Sequence, residues 1–215
     1  MKVIRLPQKI KALMFDMDLT LYSNSAYLQN QVDCLVKRLG ERRGLSFGEM
    51  NREVEEARLA WAASHGGKKP TLSIIFTQFG IGMEENIRWR EELIQPERFI
   101  GKDLRLKNTL EELSPSFVLG IVTNNPVLVA RKTLAALGVG KYFPFLVGLD
   151  TCMISKPDKA PFLLFSEMAA CPCETCVSIG DRYDIDLDVP LEMGMGAILV
   201  DGVEDVYGLP GVLKD

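Results

Sequence analysis

The stretch Ala12-Leu13-Met14-Phe15-Asp16-Met17-Asp18-Leu19-Thr20-Leu21 decides how the rest of the chain is read. Four consecutive apolar residues are too few for a buried helix and suit a strand covered on both faces of a parallel sheet, so the chain is expected to leave that sheet at Asp16. Side chains two apart in an extended segment share one side, which lets Asp16 and Asp18 point into one crevice. Two neighbouring carboxylates repel, and each raises the pKa of the other unless a cation offsets them. The stretch therefore reads as half of a metal site whose other half must come from further along the chain.

The second half of the chain repeats this construction. The apolar run 117–122 ends in Thr123-Asn124-Asn125, and Pro126 opens a helix with Val127, Ala130, Leu134 and Leu137 inward and Gly138 at its end. A shorter strand is expected over 145–149. Lys156-Pro157-Asp158 then leads into a helix carrying Phe162, Phe165 and Met168. Residues 176–179 form a strand that ends at Gly180-Asp181, followed by a brief helix to Met193 and a last strand over 197–200. A helix over 104–113, with Leu106, Leu110 and Leu113 inward, precedes this series. Strands alternating with helices imply an α/β fold, right-handed crossovers and a parallel sheet covered on both faces. Ligands in such sheets bind beyond the carboxyl ends of the strands.

Residues 22–102 interrupt the alternation with an entirely helical pattern. Leu28, Val32, Leu35, Val36 and Leu39 form one stripe over 25–39, with Gly40 as the expected stop. Over 46–64, Phe47, Met50, Val54, Ala57 and Trp61 face inward, and Glu49, Arg52, Glu53, Glu55 and Glu56 form the solvated face. A basic, turn-rich connection, His65-Gly66-Gly67-Lys68-Lys69-Pro70, leads to further helices over 71–79 and 83–93. The expected organisation is a core of residues 1–21 and 103–215 with an inserted all-helical cap of residues 22–102.

Composition bounds the function. With 215 residues, 47% hydrophobic and 25% charged, the chain can bury a sizeable core, and its formal net charge of -4 gives no electrostatic footprint for nucleic acid or an anionic membrane. The apolar runs near Lys2, Arg5, Lys9 and Lys11 are too short for a signal-peptide core, and no segment has the length of a membrane span. A cytoplasmic protein acting on a small molecule is expected; nothing assigns an oligomeric state. The five cysteines fit a reducing compartment. Cys173 and Cys176 have C-x-x-C spacing beside Cys171, but zinc needs four ligands and Cys176 opens a buried strand, so ordinary small residues are expected there. His65 reads as a solvated turn residue and Trp61 as core.

Gathered at one crevice, the strand exits supply Asp16, Asp18, Asp181 and Asp186 as acids, with Thr123, Asn124 and Lys156 as donors. Clustered carboxylates without histidine call for a divalent ion bound through oxygen, which favours magnesium over zinc. A lysine, a hydroxyl and backbone N–H groups facing that ion form a cradle suited to a phosphoryl group.

Asp16-Met17-Asp18-Leu19-Thr20, Thr123-Asn124, Lys156-Pro157 and Gly180-Asp181-Arg182-Tyr183-Asp184-Ile185-Asp186, in that order, resemble the four motifs of the haloacid dehalogenase superfamily. Phe15, Pro157 and Gly194-Met195 agree in detail. The resemblance implies a Rossmann-like core, a type I helical cap inserted after the first motif, and a magnesium-dependent phosphatase of small phosphorylated metabolites. It makes Asp16 the nucleophile, Asp18 the proton donor and later the base, and Thr123, Asn124 and Lys156 the phosphoryl holders. Magnesium would be bound by the Asp16 carboxylate, the Asp18 carbonyl and Asp181, with Asp186 in support. True dehalogenases of the superfamily lack an acid two residues after the nucleophile, so Asp18 points to phosphate chemistry.

The chain departs from the pattern at Leu19, where superfamily phosphatases often carry glycine, and offers Asp184 besides Asp186. The spacing of Asp186 from Asp181 and Gly194 favours Asp186. The first motif through Tyr22, with residues 104–124, looks most like the pyrimidine 5′-nucleotidase-like branch of subfamily I, making a nucleoside monophosphate the expected substrate, with phosphoglycolate or a sugar phosphate as alternatives. A superfamily protein that binds a phosphorylated ligand or protein partner without efficient catalysis is the competing reading, and the complete reactive set counts against it.

Overall fold

The computed structural model describes residues 1–213. The chain divides into two compact units, one comprising Met1–Ser25 and the chain from Gln95 onward, the other Ala26–Ile94. The helical unit is thus shorter at both ends than the 22–102 span expected from the sequence. Tyr22, Ser23 and Asn24 stay with the core unit because their polar groups bond there: Asn24 Nδ2 donates to the Phe99 carbonyl at 2.8 Å, and the Val203 N–H donates to Ser23 Oγ at 3.1 Å.

The core unit is built on six strands, β1 (Lys2–Arg5), β2 (Ala12–Phe15), β3 (Val118–Val122), β4 (Phe145–Val147), β5 (Cys176–Gly180) and β6 (Gly196–Leu199), in the order β1-β6-β5-β2-β3-β4. All neighbours are parallel except β1, which runs antiparallel along β6. β2 lies between β5 and β3 and every residue of it is buried, as its unbroken apolar run requires. β1 was not expected: it is short, largely exposed and charged at both ends, which is how an edge strand avoids further pairing and why it carries no hydrophobic signal. Arg5 Nε ties it to the Met195 carbonyl at 2.9 Å.

The helical unit contains α1 (Ser25–Arg43), α2 (Phe47–Ser64), α3 (Leu72–Gln78) and α4 (Met83–Leu93). α1 does not stop at Gly40. That glycine is buried inside the helix, and a Cβ there would lie 2.9 Å from the Leu45 carbonyl oxygen, so Gly40 lets α1 pack close to the chain entering α2. The reversal comes at Gly44, with φ of 71°. Ser46 caps α2, and the Glu49 carboxylate returns to the Ser46 N–H at 2.9 Å, so Glu49 closes a capping box and is not merely a solvated acid. Leu35, Leu39, Met50, Val54, Ile75, Phe76 and Trp89 form the core of this unit. Trp61 packs at its margin and stacks on His65, ring centroids 3.8 Å apart.

The core unit continues with α5 (Leu104–Leu113), α6 (Val127–Leu137), α7 (Leu149–Cys152), α8 (Lys159–Met168), α9 (Asp188–Glu192), α10 (Val203–Val206) and α11 (Pro210–Leu213). The strand expected over 145–149 ends at Val147 because α7 begins at Leu149. Phe162 and Phe165 of α8 pack against Ala12, Met14 and Val147 of the sheet, whereas Met168, expected inward, is exposed. No described helix is long and apolar enough to cross a membrane. The architecture is an α/β Rossmann-like core, mostly parallel, with a helical cap insertion after β2.

Candidate active site

Register brings the site together. Phe15 is level with Ile121 of β3 and with Ile179 of β5, so the three central strands release their chains side by side at one edge of the sheet. Asp16 follows β2, Thr123, Asn124 and Asn125 follow β3, and Asp181 follows β5. Lys156 arrives from the loop between α7 and α8 and is buried.

Lys156 Nζ donates to Asp16 Oδ1 at 2.6 Å, to Asp186 Oδ1 at 2.7 Å and to the Val122 carbonyl at 2.7 Å. Its backbone is gripped by Asn124: the Lys156 N–H donates to Asn124 Oδ1 at 2.7 Å, and Asn124 Nδ2 donates to the Lys156 carbonyl at 3.2 Å. The Asn124 side chain, expected on the phosphoryl group, therefore places the lysine. Thr123 is buried, and its Oγ1 accepts the Asn125 N–H at 3.2 Å.

Asp186 lies in a wide π-helical turn, Tyr183–Leu187, that folds back toward β5. Its Oδ2 accepts the Arg182 N–H at 3.1 Å, and its carbonyl accepts Ser178 Oγ at 2.7 Å. Asp184 instead pairs with Arg182 at 3.0 Å, away from Lys156. Gly180 permits this packing, since a Cβ there would lie 2.5 Å from the Asp186 Cβ and 2.6 Å from Asp186 Oδ2. Gly180→Ala is accordingly expected to destabilise the protein by about 1–3 kcal/mol, read as a lowered urea midpoint, and to lower activity by displacing Asp186.

Asp18 has donors of its own, and its charge adds to burial in pushing the Asp16 pKa upward. Asp18 Oδ1 accepts the Tyr22 hydroxyl, and its Oδ2 accepts Asn125 Nδ2 at 2.9 Å. Neither Tyr22 nor Asn125 stood out in the sequence as a site residue, although Tyr22 lies one turn after Asp18 and Asn125 adjoins two expected donors. Leu19 adopts φ of 57°, the left-handed region where glycine is at ease and a branched residue pays about 1–2 kcal/mol. The turn it makes returns the Thr20 and Leu21 N–H groups to the Met17 carbonyl at 3.2 and 3.0 Å.

The model of a family described as haloacid dehalogenase-like hydrolase matches residues 10–194. The chain belongs to this family. Among curated proteins, this haloacid dehalogenase-like hydrolase is 27% identical over 228 aligned positions to the phosphoglycolate phosphatase of Pectobacterium atrosepticum, covering 94% of this chain and 93% of that one. It is 28% identical over 195 positions to the phosphoglycolate phosphatase of Escherichia coli, covering 83% and 77%. Solved structures share its fold, among them the following two. A HAD phosphatase from Thermococcus onnurineus superposes with a TM-score of 0.64 at 21% identity, over 95% of this chain and 98% of that one. A 2-haloacid dehalogenase from Pseudomonas syringae does so with a TM-score of 0.61 at 22% identity, over 95% and 98%.

The hydrolase concentrates negative charge at this edge. Asp16, Asp181 and Asp186 each present a carboxylate oxygen within 4.8 Å of the others, and among the described residues theirs is the group of acids, histidines or cysteines arranged to hold a metal. The cysteines do not converge on such a site. Cys171 and Cys176 are buried, and burial pushes the Cys176 thiol up to about 12. Burial, together with the charge of Asp18 on Asp16 and of Asp16 on Asp186, pushes Asp16 and Asp186 upward against the pull of Lys156, and Asp181 rises to about 7 through burial and through Asp16 and Asp186. Lys156 stays charged because Asp16 and Asp186 outweigh the cost of burying it. One ammonium cannot neutralise three carboxylates, and an all-oxygen donor set with that excess suits a divalent ion such as magnesium.

The sign of the pH dependence follows. An unfolded aspartate titrates near roughly 3.9, so the folded chain holds an extra proton on Asp181 up to about 7, and stability in the absence of metal falls as pH rises through that interval. The thermal midpoint in chelator is expected to drop from about pH 5 to about pH 8, and magnesium is expected to raise it more at the upper end. An equal magnesium effect at both pH values would count against metal binding by these acids.

Proposed function

We propose that this hydrolase is a magnesium-dependent phosphatase that cleaves a small phosphate monoester through an aspartyl-phosphate on Asp16. The observation that carries the reading is the division of the acids. Asp16 is bound to a buried ammonium inside the metal-suited cluster, whereas Asp18, two residues on, is held by neutral donors. A nucleophile needs its charge offset before it meets a dianion, while a proton carrier must remain outside that neutralised cluster.

In the first step an Asp16 oxygen bonds to phosphorus and the bond from phosphorus to the ester oxygen breaks. The electron pair stays on that oxygen, which takes the proton of Asp18 and leaves as an alcohol. In the second step a water oxygen bonds to phosphorus and gives a proton to the Asp18 carboxylate. The bond between phosphorus and Asp16 breaks, releasing phosphate and restoring the Asp16 carboxylate. Lys156 and Thr123 hold phosphoryl oxygens, with Asn124 keeping Lys156 in place. Magnesium, held by Asp16, Asp181 and the Asp18 carbonyl with Asp186 in support, would supply positive charge to the phosphoryl oxygens. Asp18 argues against dehalogenation, because a departing halide needs no proton.

For the substrate, the first motif supports a nucleoside monophosphate, whereas the relatives named as phosphoglycolate phosphatases support 2-phosphoglycolate. The test is phosphate release from a panel of nucleoside monophosphates, sugar phosphates and 2-phosphoglycolate. Turnover of at least one member with magnesium, abolished by chelator, is expected. Binding of panel members with no phosphate released from any would favour the non-catalytic alternative.

A further inference from the structure

We infer that Tyr22 and Asn125 are positioning residues that hold the Asp18 carboxyl in the orientation needed to protonate a leaving group. The inference rests on the phosphatase reading above. The two donors come from different segments, the turn after β2 and the loop after β3, and each takes a different oxygen of Asp18. Both are fixed by burial, with Tyr22 4% and Asn125 1% exposed.

Each is also fixed through its backbone. Asn125 donates its N–H to Thr123 Oγ1 at 3.2 Å, and its carbonyl accepts the Leu149 N–H at 3.0 Å. Tyr22 is bridged through its main chain to Asp18 itself. Asp18 lies beyond the strand, just before the left-handed Leu19. Donors on both oxygens hold the plane and direction of the carboxyl without bringing a positive charge to it, unlike Lys156 on Asp16. The same arrangement explains why Asn125 is buried while presenting its amide to a charged group.

A residue that acts through the direction of Asp18 matters where the leaving oxygen needs a proton and matters little where it does not. The test compares Tyr22→Phe and Asn125→Ala with wild type on two probes. One is the alkyl phosphate that wild type cleaves best in the panel above; the other is 4-nitrophenyl phosphate, whose leaving group departs unprotonated. The quantity read is kcat/KM, which ends at alcohol release. Each variant is expected to lose about 10–100-fold on the alkyl phosphate and less than about threefold on 4-nitrophenyl phosphate. The magnesium concentration for half-maximal activity should be unchanged. Tyr22→Phe keeps the buried ring and so guards against loss of the fold, which a thermal melt checks for both variants.

Equal losses on both probes would show a general structural role and overturn the inference, as would no loss on the alkyl phosphate. If wild type cleaves neither probe, the phosphatase reading fails instead.

Discussion

Asp16→Asn is expected to lower magnesium-dependent phosphate release by roughly 10⁴-fold or more while leaving the protein folded. The amide matches the carboxylate in size and cannot form an acyl-phosphate. The substitution removes one of three carboxylates that burial already pushes toward protonation, and Lys156 keeps Asp186 and the Val122 carbonyl as partners. Repulsion on Asp181 falls, so the metal-free variant should melt no lower than wild type, most visibly above neutral pH. A phosphate-release assay with matched melts checks both halves. Retention of more than about a tenth of wild-type activity would remove Asp16 from the reaction.

The second large effect is on stability. Lys156→Met keeps most of the buried stem volume and removes the ammonium that joins Asp16 to Asp186. Breaking a buried pair from one side leaves uncompensated charge, and a loss of about 3–5 kcal/mol is expected in the absence of metal. The loss should be smaller near about pH 5, where the acids take up protons, than near about pH 8. Magnesium should restore part of it. Urea unfolding at the two pH values, with and without magnesium, measures these terms; a loss below about 1 kcal/mol at the higher pH would mean that Lys156 is not what holds the acids together.

Much of this molecule is legible in one dimension, because its decisive features are local. The run Ala12–Phe15 is too short and too apolar to be anything but a buried strand, and Asp16 then has to sit at its exit. The same logic places Thr123 after β3 and Asp181 after β5. The periodicity over 83–93 marks α4 as Met83–Leu93, since helix spacing is a property of the segment itself.

Features that depend on a second segment are not legible. β1 has no hydrophobic run because it is an edge, and its pairing with β6 links opposite ends of the chain. Gly40 looks like a terminator by residue type, yet its role is set by the approach of Leu45 and Met50. Asn124 has the chemistry of a phosphate donor, but Lys156, 32 residues away, takes both ends of its amide. Asn125 meets Asp18 across 107 residues of sequence, through a register that brings β2 and β3 to one level. Leu19 was visible as a departure from the family pattern. That it holds a left-handed turn is a property of the backbone alone.

The central claim is that phosphorus passes through Asp16. It is tested most directly by quenching the enzyme during turnover with borohydride, which reduces an aspartyl-phosphate to homoserine, and mapping the peptides by mass spectrometry. Homoserine at position 16, dependent on both substrate and magnesium and lost in Asp16→Asn, is the predicted result. Steady phosphate release with position 16 unmodified under every quench would contradict it.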